Sequence, residues 1–373
     1  MAKKEFFDSQ SDLTALKILI YQQYLNSYLP KVLTQYGSCL VADFFCGGGK
    51  NGQKDGSPFV LLDVAKKILD NEIVKSRQPN AKIVIVFSDV NEECCSILTA
   101  DLKKLKIPKQ ITILGPYCES FESIKTRVMG EVSKFTSPKF FFLDPFAYSA
   151  IGIDDIKGFM NVPAAEVLLF LPIFHSYRFI KCANDVGVLK KFLEDFSEKG
   201  CSNYVDINDF IESIRQKILR YIDLKYARYV VLDDGARKNA LFYLTKHVTG
   251  MLLMNNLSWK YADDGVIIKV KNINSPTLFN PSPFSKNYNN LKVLLKKYII
   301  EKKRLTNVQI IDFVAKIGFA TKYAREILKE MKNKDLIRIK YKKRDKKRGF
   351  YVADGNWNEE LATIIYQEAK NGD

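Results

Sequence analysis

The chain has 373 residues, 47% of them hydrophobic, with seven cysteines, two histidines and a formal net charge of +16. That length supports a large core and more than one domain; an odd cysteine count without a C-x-x-C pair argues against a disulfide framework or structural zinc, and His175 and His247 leave little material for His-based metal binding or catalysis. No apolar run approaches the roughly 20 residues of a membrane-spanning helix, and the start, MAKKEFFDSQSD, lacks a signal peptide's apolar stretch, so a cytoplasmic chain with no metal and no membrane partner is expected.

Leu13, Leu16, Lys17, Ile20, Tyr24 and Tyr28 recur at helical steps and predict an N-terminal helix that Pro30 interrupts. SCLVADFF predicts the first strand. IVIVF at 83–87, ITIL at 111–114 and KFFFL at 139–143 follow helical patterns near 58–76, 91–106 and 119–132, and VLLFLP at 167–172 comes next. Continuous apolar strands separated by helices mark a parallel sheet covered on both faces, a doubly wound, Rossmann-like α/β fold. A helix at 206–221 and strands at 227–234 and 239–247, expected as an antiparallel edge pair, complete this domain over residues 1–272.

An Asn- and Pro-rich stretch, 273–290, reads as a linker. Beyond it, 291–373 carries a different pattern. Leu291 to Lys302 reads as a helix, Thr306 as the cap of a second running to Lys316 and ended by Gly318, and Thr321 to Asn333 as a third. The strand candidates LIRIKY (336–341) and FYVAD (350–354) flank the basic turn KKRDKKRG, which together predict a winged helix. In such modules one helix enters the major groove and the wing touches phosphate. Residues 286–348 hold 21 Lys and Arg against six Asp and Glu, so most of the net charge belongs to this segment. Nucleic acid, DNA or RNA, is the expected partner, through Lys322, Arg325 and Lys329 on the helix and Lys342, Lys343, Arg344, Lys346, Lys347 and Arg348 on the wing. A solvated lysine-rich face is the plainer alternative.

The loop VADFFCGGGK, at 41–50, is the first chemical motif. It is not a triphosphate loop: Lys50 is followed by Asn51 and no glycine stands five residues upstream. A dinucleotide fingerprint can be forced on Gly47, Gly49 and Gly52, but Asp43 at the strand end suits the cationic methionine end of S-adenosylmethionine better. Gly47 and Gly49 let backbone approach a ligand. Asp89, just past the second strand, can hold ribose hydroxyls or serve the following helix as a cap. The predicted cofactor set is Asp43, Phe45, Gly47, Gly49 and Asp89. After the fourth strand, Asp144, Pro145 and Phe146 offer a carboxylate, a freed carbonyl and a ring to an amine, with a local cap and core packing as the alternatives. No Pro-Cys dipeptide occurs, which removes the usual nucleophile of cytosine-C5 chemistry; Cys46 and Cys118 are expected to be packing residues.

Asp43-Phe44-Phe45-Cys46-Gly47-Gly48-Gly49, Gly56-Ser57-Pro58, Asp89-Val90-Asn91 and Leu143-Asp144-Pro145-Phe146, in that order and with Lys17 and Tyr24 in the first helix, resemble the three-Cys-motif partner protein (TcmP) family. The resemblance covers residues 1 to about 260. It implies a class I methyltransferase fold, an S-adenosylmethionine pocket and a bacterial partner protein carrying a three-cysteine, radical-SAM-like motif. GPYCESF, after the third strand, departs from the pattern in lacking an acid that often meets adenine, and Cys46 replaces a small residue. Three functions are open at this point: a methyltransferase acting on a nucleic-acid amine, a catalytically silent nucleic-acid-binding or regulatory subunit, and a methyltransferase for protein or small molecules whose basic tail docks an acidic partner.

Overall fold

A computed structural model describes residues 12–132, 135–181, 186–270, 286–342 and 349–367. The chain divides into two compact units, residues 1–246 with 268–273 and residues 247–267 with 274–373.

The first unit opens with helix α1 (Asp12–Tyr36). Pro30 does not stop it. Leu29, Val32 and Leu33 remain buried along one side, and Thr34 Oγ1 donates to the Pro30 carbonyl at 2.7 Å, so packing of the last turns outweighs the missing amide. Strand β1 (Ser38–Asp43) leads through a short hairpin, β2 (Lys50–Asn51) and β3 (Lys54–Asp55), to α2 (Ser57–Leu69) and α3 (Glu72–Arg77). One helix was expected over 58–76; Asn71 breaks it, because its side chain accepts from the Ile73 and Val74 amides and starts α3. Then come β4 (Lys82–Asp89), α4 (Glu92–Lys103), β5 (Ile111–Cys118), α5 (Phe121–Val132), β6 (Lys139–Leu143), α6 (Ile153–Asn161), β7 (Ala165–Leu171), α7 (Ile173–Arg178), α8 (Gly187–Phe196), α9 (Ile207–Ile222), β8 (Tyr226–Asp233) and β9 (Lys238–Thr245).

The eight-stranded sheet has the order β10-β8-β9-β7-β6-β1-β4-β5, with β10 at Ile267–Lys269. β1 pairs in parallel with β4 on one side and β6 on the other. From β1 the chain builds outward through β4 to β5, then crosses to β6 and β7, so the order reverses at β1, the position at which sheets of this kind bind ligands beyond their strands' carboxyl ends. Every residue of β6 and β7 is buried, which is why FFFL and VLLFL within them read as unbroken apolar runs. β9 runs antiparallel to β7 and β8. The expected antiparallel pair is there, but inside the sheet: β9 sits between β7 and β8, and β10 forms the edge. Among the described residues no helix is long and apolar enough to cross a membrane.

The second unit comprises α10 (Val248–Tyr261), α11 (Lys286–Lys302), β11 (Arg304–Thr306), α12 (Asn307–Lys316), α13 (Thr321–Asn333), β12 (Ile337–Tyr341) and β13 (Ala362–Tyr366). Helix α10 joins it through side chains: Asn255 Nδ2 donates to the Ala315 and Phe319 carbonyls at 3.1 Å each, and Trp259 Nε1 to that of Gly318 at 3.0 Å. Thr306 caps α12 in a box with Gln309, and Gly318, at φ 82°, follows its end. Of the stretch read as a linker, 286–290 begin α11 and the rest lies outside the described residues.

The small sheet has the order β11-β13-β12 and is antiparallel. FYVAD is not a strand. Tyr351 lies in the left-handed region at φ 55°, and the buried Asn307 Nδ2 donates to the carbonyls of Tyr351, Asn356 and Glu359, so these residues fold as a clamped loop. The partner strand of β12 is instead Ala362–Tyr366, which Asn307 Oδ1 anchors by accepting from the Leu361 and Ala362 amides. The third strand, Arg304–Thr306, is too short to show a period in sequence.

Candidate functional site

Three acids stand at the carboxyl ends of three adjacent strands of the first unit, Asp43 from β1, Asp89 from β4 and Asp144 just after β6. Asp43 is completely buried. Its Oδ1 accepts from the Phe45 amide at 3.4 Å, while Oδ2 has no hydrogen-bond partner; the Ser57 hydroxyl at the start of α2 lies close by, outside bonding geometry. Burial lifts this carboxyl from the ordinary 3.8 to about 7, against the pull of Ser57 and with a further push from the Asp144 charge.

Asp89 is a brace for the glycine turn. Its Oδ2 accepts from the Gly47 amide at 2.8 Å and its Oδ1 from the Asn91 amide at 2.9 Å. Asn91, not Asp89, caps α4, accepting from the Cys94 amide at 3.0 Å. Each Asp89 oxygen keeps a second lone pair for a ligand hydroxyl. The glycines divide the work. A side chain at Gly49 would lie 2.6 Å from the Phe59 ring, so Gly49 serves packing, whereas Gly47, at φ 61°, has nothing within 4 Å of its missing Cβ and leaves the space above the turn open.

Asp144 is held by a residue that sequence reasoning placed only on a helix. Lys17 of α1 donates to Asp144 Oδ2 at 2.5 Å, and its Nζ stands 4.4 Å from the centre of the Phe170 ring on β7. The signal was present: a lysine within the apolar stripe of a helix requires a counter-charge when that stripe is buried. Asp144 caps no helix; Gly152 precedes α6. Pro145 is buried, and Phe146, 80% exposed, presents its ring to solvent. Phe45 stacks on Phe121 with centres 5.2 Å apart.

These residues fit S-adenosylmethionine. An unpartnered buried carboxylate oxygen, an open glycine turn and a braced acid at the second strand are what its ammonium, methionine and ribose groups require. Exposed Val90 and Ile97, which the sequence reading passed over, add apolar surface beside Asp89 and Gly48. Cys46 is buried and its thiol pushed far up by burial, so it stays protonated and packs. Among the described residues no cluster of His, Cys, Asp and Glu could hold a metal.

In the second unit, Lys322, Arg325 and Lys329 lie exposed along one stripe of α13, whose other face buries Tyr323, Ala324, Ile327, Leu328 and Met331. These three make no ion pair with the described residues. The nearby Lys292, Lys296 and Lys334 all converge on Glu330, at 2.6, 3.4 and 3.1 Å, and pull its carboxyl down to about 2. Part of the basic segment is therefore an internal network. Lys342 is exposed, 4.0 Å from Glu360; Lys343, Arg344, Lys346, Lys347 and Arg348 lie outside the described residues.

The mostly parallel sheet reversing at β1, with acids at its carboxyl ends, fits a Rossmann-like methyltransferase fold. No protein-family model and no curated protein matches the chain. Among solved structures, the SAH-bound methyltransferase PaMTH1 of Podospora anserina aligns over 60% of this chain and 78% of its own, at 9% sequence identity and a TM-score of 0.28.

Proposed function

We propose that the chain is an S-adenosylmethionine-dependent methyltransferase acting on an amine of nucleic acid. The observation that carries the reading is Asp43 Oδ2, completely buried and without a partner, four residues ahead of a glycine turn that is open at Gly47. Asp43 would receive the ligand's ammonium, Gly47 would let the methionine portion lie against backbone, and Asp89 would accept from ribose. The bound cofactor would supply an electrophilic methyl group on sulfur. Lys17 takes Asp144 Oδ2 and fixes the rotamer of that carboxylate, leaving Oδ1 to accept from the substrate amine. The exposed ring of Phe146 would stack on the base, and Asp144 Oδ1 would receive the proton the amine loses. In the second unit we read α12, α13 and the small sheet as a winged helix, with Lys322, Arg325 and Lys329 toward the nucleic acid. The resemblance to three-Cys-motif partner proteins adds a protein partner to this proposal.

Isothermal titration of the full chain with S-adenosylmethionine is the direct test. Saturable binding that Asp43→Asn weakens at least tenfold is expected; a folded protein that takes up no ligand removes the reading. The Lys17 pair favours a second reading, a methyltransferase-like domain that binds but does not transfer, because it already satisfies half of Asp144. That version predicts ligand binding with no methyl transfer to DNA or RNA under any condition in which both are bound.

A further inference from the structure

We propose that the outward face of the small three-stranded sheet is a second binding surface for a phosphodiester backbone, distinct from the Lys322, Arg325 and Lys329 stripe. It rests on the reading of this unit as a nucleic-acid binder and adds a contact face to it. Strand alternation decides what that face carries. Leu305, Ile337, Ala362 and Ile364 point inward and are buried, so Arg304, Arg338, Lys340 and Lys342 emerge on the other side, all exposed. The register arranges them in rows. Arg304 and Arg338 flank Ile365, and Thr306 and Lys340 flank Thr363.

The face is concave and cationic. Arg304, Lys340, Tyr341, Lys342, Glu360 and Thr363 line a cleft of about 170 Å³. Arg304, Arg338 and Lys340 have no acidic partner among the described residues, and Lys342 meets Glu360 only at 4.0 Å. This differs from α11 and α13, where Lys292, Lys296 and Lys334 surround Glu330. With strands about 4.8 Å apart, the β11 and β12 cations stand roughly 10 Å from one another across β13, about a Debye length at 0.1 M salt, and they repel. A run of phosphates neutralises several of them together, which a single small anion cannot do. Thr306 and Thr363, in the same row as Lys340, supply hydroxyls of the kind that donate to phosphate oxygens. Ile365 is the one apolar side chain in the two rows, so the face offers nothing on which bases would stack and points to backbone contact without sequence preference.

The test uses the full chain and a short fluorescein-labelled DNA duplex of random sequence, with affinity followed by anisotropy over a range of salt. Arg304→Gln with Lys340→Gln is compared with Lys322→Gln with Lys329→Gln, after circular dichroism shows unchanged melting; the substituted side chains are exposed. Loss of two phosphate contacts in the sheet variant should lower affinity about tenfold near 0.1 M salt and make the salt dependence shallower by about 2 in log-log slope. If the sheet variant keeps wild-type affinity and slope while the helix variant loses both, the sheet-face inference falls and nucleic-acid binding by this unit stands. If the wild type fails to bind the duplex at low salt, the functional reading itself falls. Unchanged duplex binding together with lost binding of poly-glutamate would overturn the inference in favour of an acidic protein.

Discussion

Asp43 is an acid whose burial has a measurable signature. Its folded pKa of about 7 lies above the ordinary 3.8, so between those values the folded chain holds a proton that the unfolded chain has released. Stability from this source is complete below the ordinary value and is lost as pH rises toward 7. Asp43→Asn should flatten the fall in melting temperature over that range; Glu166, also buried and raised, contributes the same sign and leaves a residual slope. An ammonium beside Asp43 favours the ionised form, so binding of S-adenosylmethionine at neutral pH should release protons. Titration heats that do not vary between buffers of different ionisation enthalpy would argue against Asp43 as the ammonium site. The sequence showed the position of this acid, at a strand end before glycines. It did not show the absence of a partner for Oδ2, which depends on how close α2 brings Ser57.

At the scale of elements, helix α1 is more than a cover for the sheet, because it delivers Lys17 to Asp144 across 127 residues of sequence. The two side chains are 11% and 18% exposed, so removing one leaves a charge with little water. Lys17→Met should cost roughly 3 kcal/mol of stability, and Asp144→Asn combined with it should restore much of that loss. A denaturant-based double-mutant cycle with additive effects would mean that the pair is not coupled. The apolar period of α1 was legible, as were the five parallel strands and the Thr306 cap, since each depends on neighbours a few residues apart. Pro30 and FYVAD were misread for one shared reason: the burial of Leu29 and Leu33, and the hold of Asn307 on the 351–361 loop, arise over distances that local pattern does not report.

At the scale of the molecule, the division into units does not follow the chain in order. Helix α10 lies before the Asn- and Pro-rich stretch, yet its Asn255 and Trp259 satisfy carbonyls at and beyond the end of α12. A fragment beginning at 274 would expose those carbonyls and the Trp259 site, where the indole packs 5.0 Å from Phe319 and 4.9 Å from Tyr323. We expect a fragment of 247–373 to melt cooperatively and one of 274–373 to melt at least 10 °C lower or not to fold, given about 4–8 °C per kcal/mol in small domains. Equal melting of both by circular dichroism would show that α10 is dispensable.

By itself, the sequence determined the alternation of strands and helices, the acids at strand ends and the concentration of positive charge after residue 285. These follow from periodicity, turn chemistry and composition, which are properties of short stretches. Only the tertiary structure decided that Asp89 braces Gly47, that Lys17 holds Asp144, that Asp43 Oδ2 is left without a partner, and that Arg304 shares a face with Lys340. Each of these depends on which strands and helices become neighbours and in what register, and a residue's charge or polarity acquires its function from what that packing places within a few ångströms of it. The loop VADFFCGGGK holds a glycine with open space above it and a glycine that packing requires, and no reading of the loop alone distinguishes them.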